Sequence, residues 1–166
     1  GMRVTGEYAL EDMALDVERL LDALGIRRAH VAGVSMGGMI AQVFASQCPN
    51  RAATLTSISS ASGNPRTGLG RLRAVAAVAA TGACGTPEEV RRHFTRILTL
   101  LSGSKYRPSA EELEEALASA PRIGFDAAAT RRQLMAILAS GNRARSLREL
   151  RVPTLVIHGR EDPLLP

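Results

Sequence analysis

The feature that most constrains this chain is a short glycine-rich pattern at the junction of a predicted strand and a predicted helix. Residues Gly33 to Gly37 read GVSMG, which has the form Gly-x-Ser-x-Gly. The run before it, Ala29 to Val34, is apolar, valine-rich and too short for a helix, so it predicts a buried strand. Residues Met36 to about Gln47 predict a helix that ends before Pro49. Ser35 is therefore expected on a sharp strand-to-helix turn.

Such a turn explains the two glycines and suggests a chemistry. We expect strained backbone at Ser35, and side chains two positions before and after it are expected to collide with neighbouring chain, so only small residues fit at Gly33 and Gly37. The helix directs its positive end towards Ser35, and Met36 N–H is free to stabilise negative charge on an oxygen. Ser35 is thus a candidate nucleophile, and Met36 N–H is a candidate oxyanion donor.

Two other interpretations of the turn are open. Any glycine-rich strand-to-helix turn has this appearance, so the five residues alone fit a purely structural role equally well. The strand before and the helix after them favour the nucleophile. A phosphate-binding loop is disfavoured because neither GxxxxGK nor GxGxxG occurs at this turn.

The remaining periodicity indicates an α/β fold with a parallel sheet. Apolar residues from Leu10 to Leu24 recur at three- and four-residue spacing, which predicts a helix. Ala53 to Ser59 predicts a second strand at a separation that suits parallel pairing with the first. Thr154 to Ile157, after Pro153, predicts a third strand.

The segment between the second and third strands contains helix signals only. Thr86 with Glu89, and Ser109 with Glu112, have the spacing of capping boxes, which predicts two helix starts. A further helix is predicted from about Ala127 to Ala139. We therefore expect a helical insertion within an α/β core.

Length and composition exclude several classes. A chain of 166 residues can bury one core, and no apolar run approaches the length of a membrane span, so we expect a soluble protein with no membrane partner. Net charge is +5, but the basic residues are scattered and Lys105 is the only lysine, so no nucleic-acid partner is expected. Cys48 and Cys84 form no CxxC and predict free thiols, with no metal site and no cofactor. No signal peptide is visible, so the expected location is cytoplasmic.

Several segments resemble the α/β-hydrolase superfamily, in its esterase, lactonase and haloperoxidase-like branch. The segment GVSMGGMIAQ, from Gly33 to Gln42, resembles the nucleophile elbow of that family. The helical segment Tyr8 to Ile26, the strand TLTSIS, and VPTLVIHGREDPLLP from Val152 to Pro166 are similar to the same family. The resemblance covers most of the chain but only the middle part of the family's fold.

The resemblance implies a partial α/β-hydrolase fold in which the elbow strand, the following strand and the acid strand are parallel. It implies a core part at 1–62, an inserted helical cap or lid at 63–147, and a core part at 148–166 that carries the acid. In the family's arrangement the cap covers the serine.

The resemblance also implies a triad acid. Asp162 matches the aspartate of the family's HGxxD pattern, which starts here at His158 and Gly159, and its role would be to orient and stabilise a histidine. Taken alone, Asp162 would be interpreted as a turn residue before Pro163, because Asp-Pro is a common turn pair. Its place after a predicted strand, and the order of nucleophile then acid, favour the acid.

No histidine matches the family's general base, which lies on a loop after the acid. His30, His93 and His158 each have a structural interpretation, and His93 in the cap is the alternative base. We therefore expect a truncated form of the fold that is inactive or weakly active by itself. Exposed sheet edges would favour its self-association.

The implied function is that of a serine hydrolase that cleaves a carboxylic ester, thioester or lactone of a small molecule without a cofactor. Two alternatives remain open. One is a catalytically dead fragment that acts as a binding or structural module. The other is an acyltransferase that uses the same serine.

Overall fold

The computed structural model describes residues 7–64, 70, 86–118 and 127–165. Cys84, predicted to be a free thiol, lies outside these residues. In chain order the described helices and strands are α1 (Leu10–Ala23), β1 (Ala29–Val34), α2 (Met36–Gln47), β2 (Ala52–Ile58), α3 (Pro87–Leu101), α4 (Ala110–Ala118), α5 (Ala127–Ala139), α6 (Ala144–Glu149) and β3 (Thr154–Ile157).

The predicted elements are present, with small differences at their ends. β1, α2, α5 and β3 have the predicted bounds, whereas β2 begins and ends one residue earlier than predicted. The earlier end has a local cause, because Ser59 has φ 42° and cannot continue an extended strand. The short helix α6 was not expected from the sequence; its N-cap residue, Arg143, makes no side-chain cap, and the Ala144 amide donates instead to Asn142 Oδ1 at 3.0 Å.

The three described strands form one parallel sheet in the order β1-β2-β3. Val34 pairs with Ile58, and Ile58 pairs with Ile157, so the carboxyl ends of all three strands lie at one edge of the sheet. Because a parallel connection needs a crossover, α2 returns the chain from the end of β1 to the start of β2. This edge is where Ser35 lies.

Helix α2 forms the centre of the core that surrounds this sheet. It packs against α1, β1 and β2, and it is buried on most of its surface because it lies between the sheet and α1. Among the described residues, Phe44 from α2, Leu10 from α1 and Leu55 from β2 are the largest fully buried side chains. Each of the three elements thus contributes a fully buried apolar side chain to the core.

The chain divides into two compact units. The first comprises residues 1–68 and 135–159, and it contains the sheet, α1, α2 and α6. The second comprises residues 69–134 and 160–166, and it contains α3 and α4. The cap boundaries expected at 63 and 147 stay a prediction.

The two capping boxes expected in the second unit are present. Thr86 Oγ1 accepts a hydrogen bond from Glu89 N at 3.2 Å, and the Glu89 carboxylate accepts one from Thr86 N at 3.1 Å. Ser109 and Glu112 exchange the equivalent pair at 3.1 and 2.7 Å. These caps provide acceptors for backbone N–H groups at the start of α3 and α4 that have no acceptor within the helix.

Cys48 is a free thiol, as the sequence predicts. Its pKa is raised by burial and by the neighbouring Glu18 carboxylate, which disfavours a reactive thiolate. Within residues 7–64, 70, 86–118 and 127–165, no helix is both long and apolar enough to span a membrane.

Replacing Phe44 by alanine should lower the free energy of unfolding by about 3 to 5 kcal/mol, because loss of the fully buried ring would leave a cavity in the core around α2. Leu20→Ala in α1 is the control, since Leu20 is 58% exposed and its loss should change stability by less than about 0.5 kcal/mol. Urea unfolding followed by circular dichroism measures both variants. Equal losses would contradict the central place of α2.

Candidate active site

Ser35 occupies the turn between β1 and α2 in a strained backbone conformation. Its φ is 54° and its ψ is −121°, a region that residues with a side chain seldom adopt. Its amide donates to Ile58 O at 2.9 Å, and its carbonyl accepts from Met39 N at 3.2 Å. The backbone of Ser35 is therefore tied both to β2 and to the first turn of α2.

The Ser35 side chain is available for chemistry. Ser35 stands at the N-cap position of α2, yet its hydroxyl does not cap the helix, and the residue is exposed. No described residue forms a hydrogen bond with Ser35 Oγ. Met36 is the first residue of α2, so its N–H has no acceptor within the helix. A hydroxyl and a free amide donor thus lie side by side at the turn.

Gly33 is required by the close approach of β1 to α2. A Cβ atom at Gly33 would lie 2.2 Å from Gly37 O and 2.6 Å from Gly38 N. No side chain can occupy that space without moving the helix. The prediction that only a small residue fits at Gly33 therefore agrees with the geometry.

The same expectation was wrong for Gly37. A Cβ atom at Gly37 would have no neighbouring described atom within 4 Å, so the position has room for a side chain. The restricted position is Gly38, which is buried and whose Cβ would lie 2.7 Å from Ser60 Cβ. Gly38 is restricted by Ser60, in the segment after β2, and by Gly33 O of β1 at 3.0 Å. The Gly-x-Ser-x-Gly pattern carries no information about the segment after β2.

Ser59 and Ser60, which follow β2, have two features that the sequence did not predict. Ser59 has φ 42°, so two non-glycine residues with positive φ, Ser35 and Ser59, follow the paired strands β1 and β2. Ser60 Oγ is buried and has no hydrogen-bond partner among the described residues. The run SISSAS contains no signal that distinguishes these serines, because the position of Ser60 against Gly38 arises from contact between distant segments of the chain.

Asp162 lies in the second unit, in the turn that follows β3. Its Oδ1 accepts hydrogen bonds from Leu164 N at 2.8 Å and Leu165 N at 2.9 Å, which is the geometry of an aspartate that closes its own turn. The neighbouring Glu161 carboxylate accepts from both Ser104 N and Ser104 Oγ at 2.7 Å. The role of Asp162 as a triad acid stays a prediction.

The histidines of the first unit are at different ends of the sheet. His30 lies near the start of β1, and its Nδ1 is 2.9 Å from Thr54 Oγ1. His30 lies five positions before Ser35 in the chain, a distance of roughly 16 Å along an extended strand. His158 directly follows β3, two strands away from β1. His93 belongs to α3 in the second unit, where its ring packs edge-on against Phe94 at 6.4 Å.

Gly33→Ala should destabilise the chain by about 3 kcal/mol or more, because its methyl group would overlap the Gly37 carbonyl. Gly37→Ala is the matched control. Its methyl group meets open space, so stability should be unchanged or higher by up to about 1 kcal/mol from improved helix propensity. Thermal and urea unfolding of both proteins would test this, and equal destabilisation would contradict the described approach of β1 to α2.

Comparison with known proteins agrees with this geometry. Residues 3–166 match the family model described as alpha/beta hydrolase fold. The dihydrolipoyllysine-residue acetyltransferase component of the acetoin cleaving system of Pseudomonas putida is 32% identical over 166 residues, which is 95% of this chain and 40% of that protein. Rhodomycin D methylesterase DauP of Streptomyces sp. (strain C5) is 43% identical over 49 residues, 30% of this chain and 16% of that protein.

A solved structure of an alpha/beta fold family hydrolase from Bacillus anthracis str. Sterne superimposes with a TM-score of 0.74 at 20% identity, over 100% of this chain and 65% of that chain. The chain thus spans less than two thirds of the length of each of these three proteins. The family match covers nearly the whole chain, and the strand, turn and helix around Ser35 have the expected form. The chain belongs to the α/β-hydrolase fold family.

Proposed function

We propose that this chain carries the nucleophile of a serine hydrolase that cleaves a carboxylic ester, thioester or lactone of a small molecule. The observation that carries the proposal is the conformation of Ser35, which has φ 54° on the strand-to-helix turn with its hydroxyl exposed. Strained backbone at a polar residue is typical of functional sites. The cytoplasmic location and the independence from cofactors expected from the sequence stay predictions.

In the proposed reaction, Ser35 Oγ attacks the carbonyl carbon while its proton passes to a histidine base. Negative charge develops on the carbonyl oxygen, and Met36 N–H at the start of α2 stabilises it. The bond from carbon to the leaving group then breaks, and the base returns the proton to that group. Water attacks the acyl-serine in the same way and releases the acid.

We propose Asp162 as the acid that orients this base. Its position after β3 and its place in the chain after Ser35 support the assignment. For the base we propose a histidine outside these 166 residues, because His30 lies at the far end of β1 and no described residue contacts Ser35 Oγ by a hydrogen bond. His93 is the alternative within the chain.

Hydrolysis of p-nitrophenyl acetate and butyrate should depend on Ser35. Ser35→Ala should reduce any turnover to the rate in buffer, because no other group would form the acyl intermediate. Ser146→Ala, which removes an exposed hydroxyl from α6, should leave the rate unchanged. Equal rates for the unmodified protein and for Ser35→Ala would reject catalysis by this chain alone.

Labelling by a fluorophosphonate distinguishes an activated nucleophile from a serine in a non-catalytic module. The label forms a covalent bond with an activated serine, so we expect modification at Ser35 that Ser35→Ala abolishes and Ser146→Ala preserves. Intact-mass and peptide mass spectrometry locate the label. A folded but unlabelled protein would favour the alternative that the chain is a non-catalytic binding or structural module.

An acyltransferase on the same serine is the second candidate. The acetyltransferase component of Pseudomonas putida, which aligns with 95% of this chain, supports it. Both candidates share the acyl-serine and differ in the group that attacks it. Product analysis with an added alcohol or thiol distinguishes them, since a transferase should form the new ester or thioester in preference to the free acid.

We also propose that the chain associates with further copies of itself through the sheet. β1 and β3 each pair with β2 alone among the described strands, and Val34, Leu155 and Val156 are at least half exposed. Unpaired edge backbone and apolar side chains favour strand pairing between chains.

Val156→Lys should shift the protein towards monomer in sedimentation velocity, because a charged side chain would be placed on an edge strand. Leu20→Lys adds the same charge at an exposed position of α1 and is the control. An unmodified protein that stays monomeric across a concentration series would contradict the proposal.

A further inference from the structure

Arg143 is the only charged side chain that is buried among the described residues. It is 7% exposed, and it lies directly before α6 in the first unit. A guanidinium group loses much of its hydration when it is buried, so its retention requires several hydrogen bonds. Burial lowers the pKa of Arg143, and the Glu11 carboxylate partly offsets this effect.

The hydrogen bonds of Arg143 go to neutral oxygens from separate parts of the first unit. Its Nη2 donates to Ala61 O at 2.8 Å, and its Nη1 donates to Gly141 O at 3.1 Å. Its Nε lies 3.4 Å from Gln42 Oε1, and its backbone amide donates to Ser62 O at 2.8 Å. Because guanidinium is planar and its donors have fixed directions, these bonds define positions as well as providing attraction.

Two of these acceptors belong to a segment that contacts the turn at Ser35. We name residues 58–62 the elbow-facing segment. Its first carbonyl accepts the Ser35 amide at 2.9 Å, and its third residue, Ser60, leaves no space for a Cβ at Gly38. Ser60 Oγ makes no hydrogen bond with any described residue, so its hydroxyl does not hold the segment in place. The last two residues of the segment are held by Arg143.

A second connection runs from Arg143 through α2. Gln42 is buried, accepts from Arg143 through Oε1, and donates from Nε2 to Ser57 Oγ at 3.0 Å. Ser57 pairs with Gly33 in the sheet. Arg143 is thus joined to α2 through Gln42, and through Gln42 and Ser57 to β2, the strand that pairs with β1.

We propose that Arg143 is a positioning residue for Ser35. It acts through the elbow-facing segment and Gln42, which it holds in the arrangement that keeps Ser35 strained and exposed. The consequence for reactivity rests on the proposed function of Ser35, whereas the consequence for local backbone order does not. A residue that contributed only to global stability would affect every part of the first unit alike.

Hydrogen exchange with mass spectrometry tests the structural part. Arg143→Met keeps much of the side-chain length and the backbone hydrogen bond to Ser62 O but removes every guanidinium donor. Exchange in the elbow-facing segment and in residues 35–39 should therefore accelerate by about tenfold or more. Exchange in α1 should not change. Arg143→Lys keeps the positive charge but lacks the planar guanidinium and its fixed donors. Its exchange rates should therefore rise less, and in the same segments. Arg145→Met removes an arginine whose side chain is 92% exposed and should match the unmodified protein.

The rate of fluorophosphonate labelling at Ser35, measured where circular dichroism shows the variants equally folded, tests the effect on reactivity. We expect a fall of about tenfold in Arg143→Met and partial recovery in Arg143→Lys. If Arg143→Met does not fold, Arg143→Lys tests the proposal. Faster exchange in the elbow-facing segment and in residues 35–39, without a change in α1, would support it.

Equal acceleration in α1 and in the elbow-facing segment would overturn the proposal, as would exchange that does not change in either variant. Failure of the fluorophosphonate to label the protein that carries no substitution would instead reject the proposed function of Ser35. Selective exchange would in that case still support the positioning of the turn by Arg143.

Discussion

The close approach of β1 to the first turn of α2 is the constraint on which the first unit depends. A Cβ at Gly33 would lie 2.2 Å from Gly37 O. Because glycine has no Cβ, the chain can reverse within a few residues and place α2 against the sheet. That path packs α2 against α1, β1 and β2 and buries Phe44 fully in the core. It also puts Ser35 at the apex, where the tight reversal requires positive φ and the residue is exposed.

Much of this architecture could be predicted because its signals are local. A short valine-rich run followed by an uninterrupted helical stretch defined β1 and α2 to the residue, and Pro153 marked the start of β3. Capping boxes were equally reliable, since Thr86 and Glu89 need only their own turn of helix to form both hydrogen bonds. The end of β2 was misplaced by one residue because the positive φ of Ser59 is imposed by its surroundings and not by serine itself.

The parts that could not be predicted depend on contacts between distant residues. Gly37 and Gly38 are adjacent and chemically identical, yet only Gly38 is confined, because Ser60 lies against it. In the sequence, Arg143 is one of many scattered arginines, and its contact with Gln42 joins residues 101 positions apart. A spacing pattern records which residue types a turn tolerates. It does not record which other segment will fill the space beside that turn.

This distinction bears on how a strained serine is maintained. A φ/ψ outlier costs on the order of 1 to 3 kcal/mol and persists only where the surroundings leave no relaxed alternative. At Ser35 those surroundings come from three stretches of chain: the first turn of α2, the elbow-facing segment through its bond to the Ser35 amide, and Arg143 through the carbonyls that it binds. The Gly-x-Ser-x-Gly pattern therefore permits the turn, whereas the strain that would make Ser35 useful as a nucleophile is sustained by tertiary contacts outside the pattern.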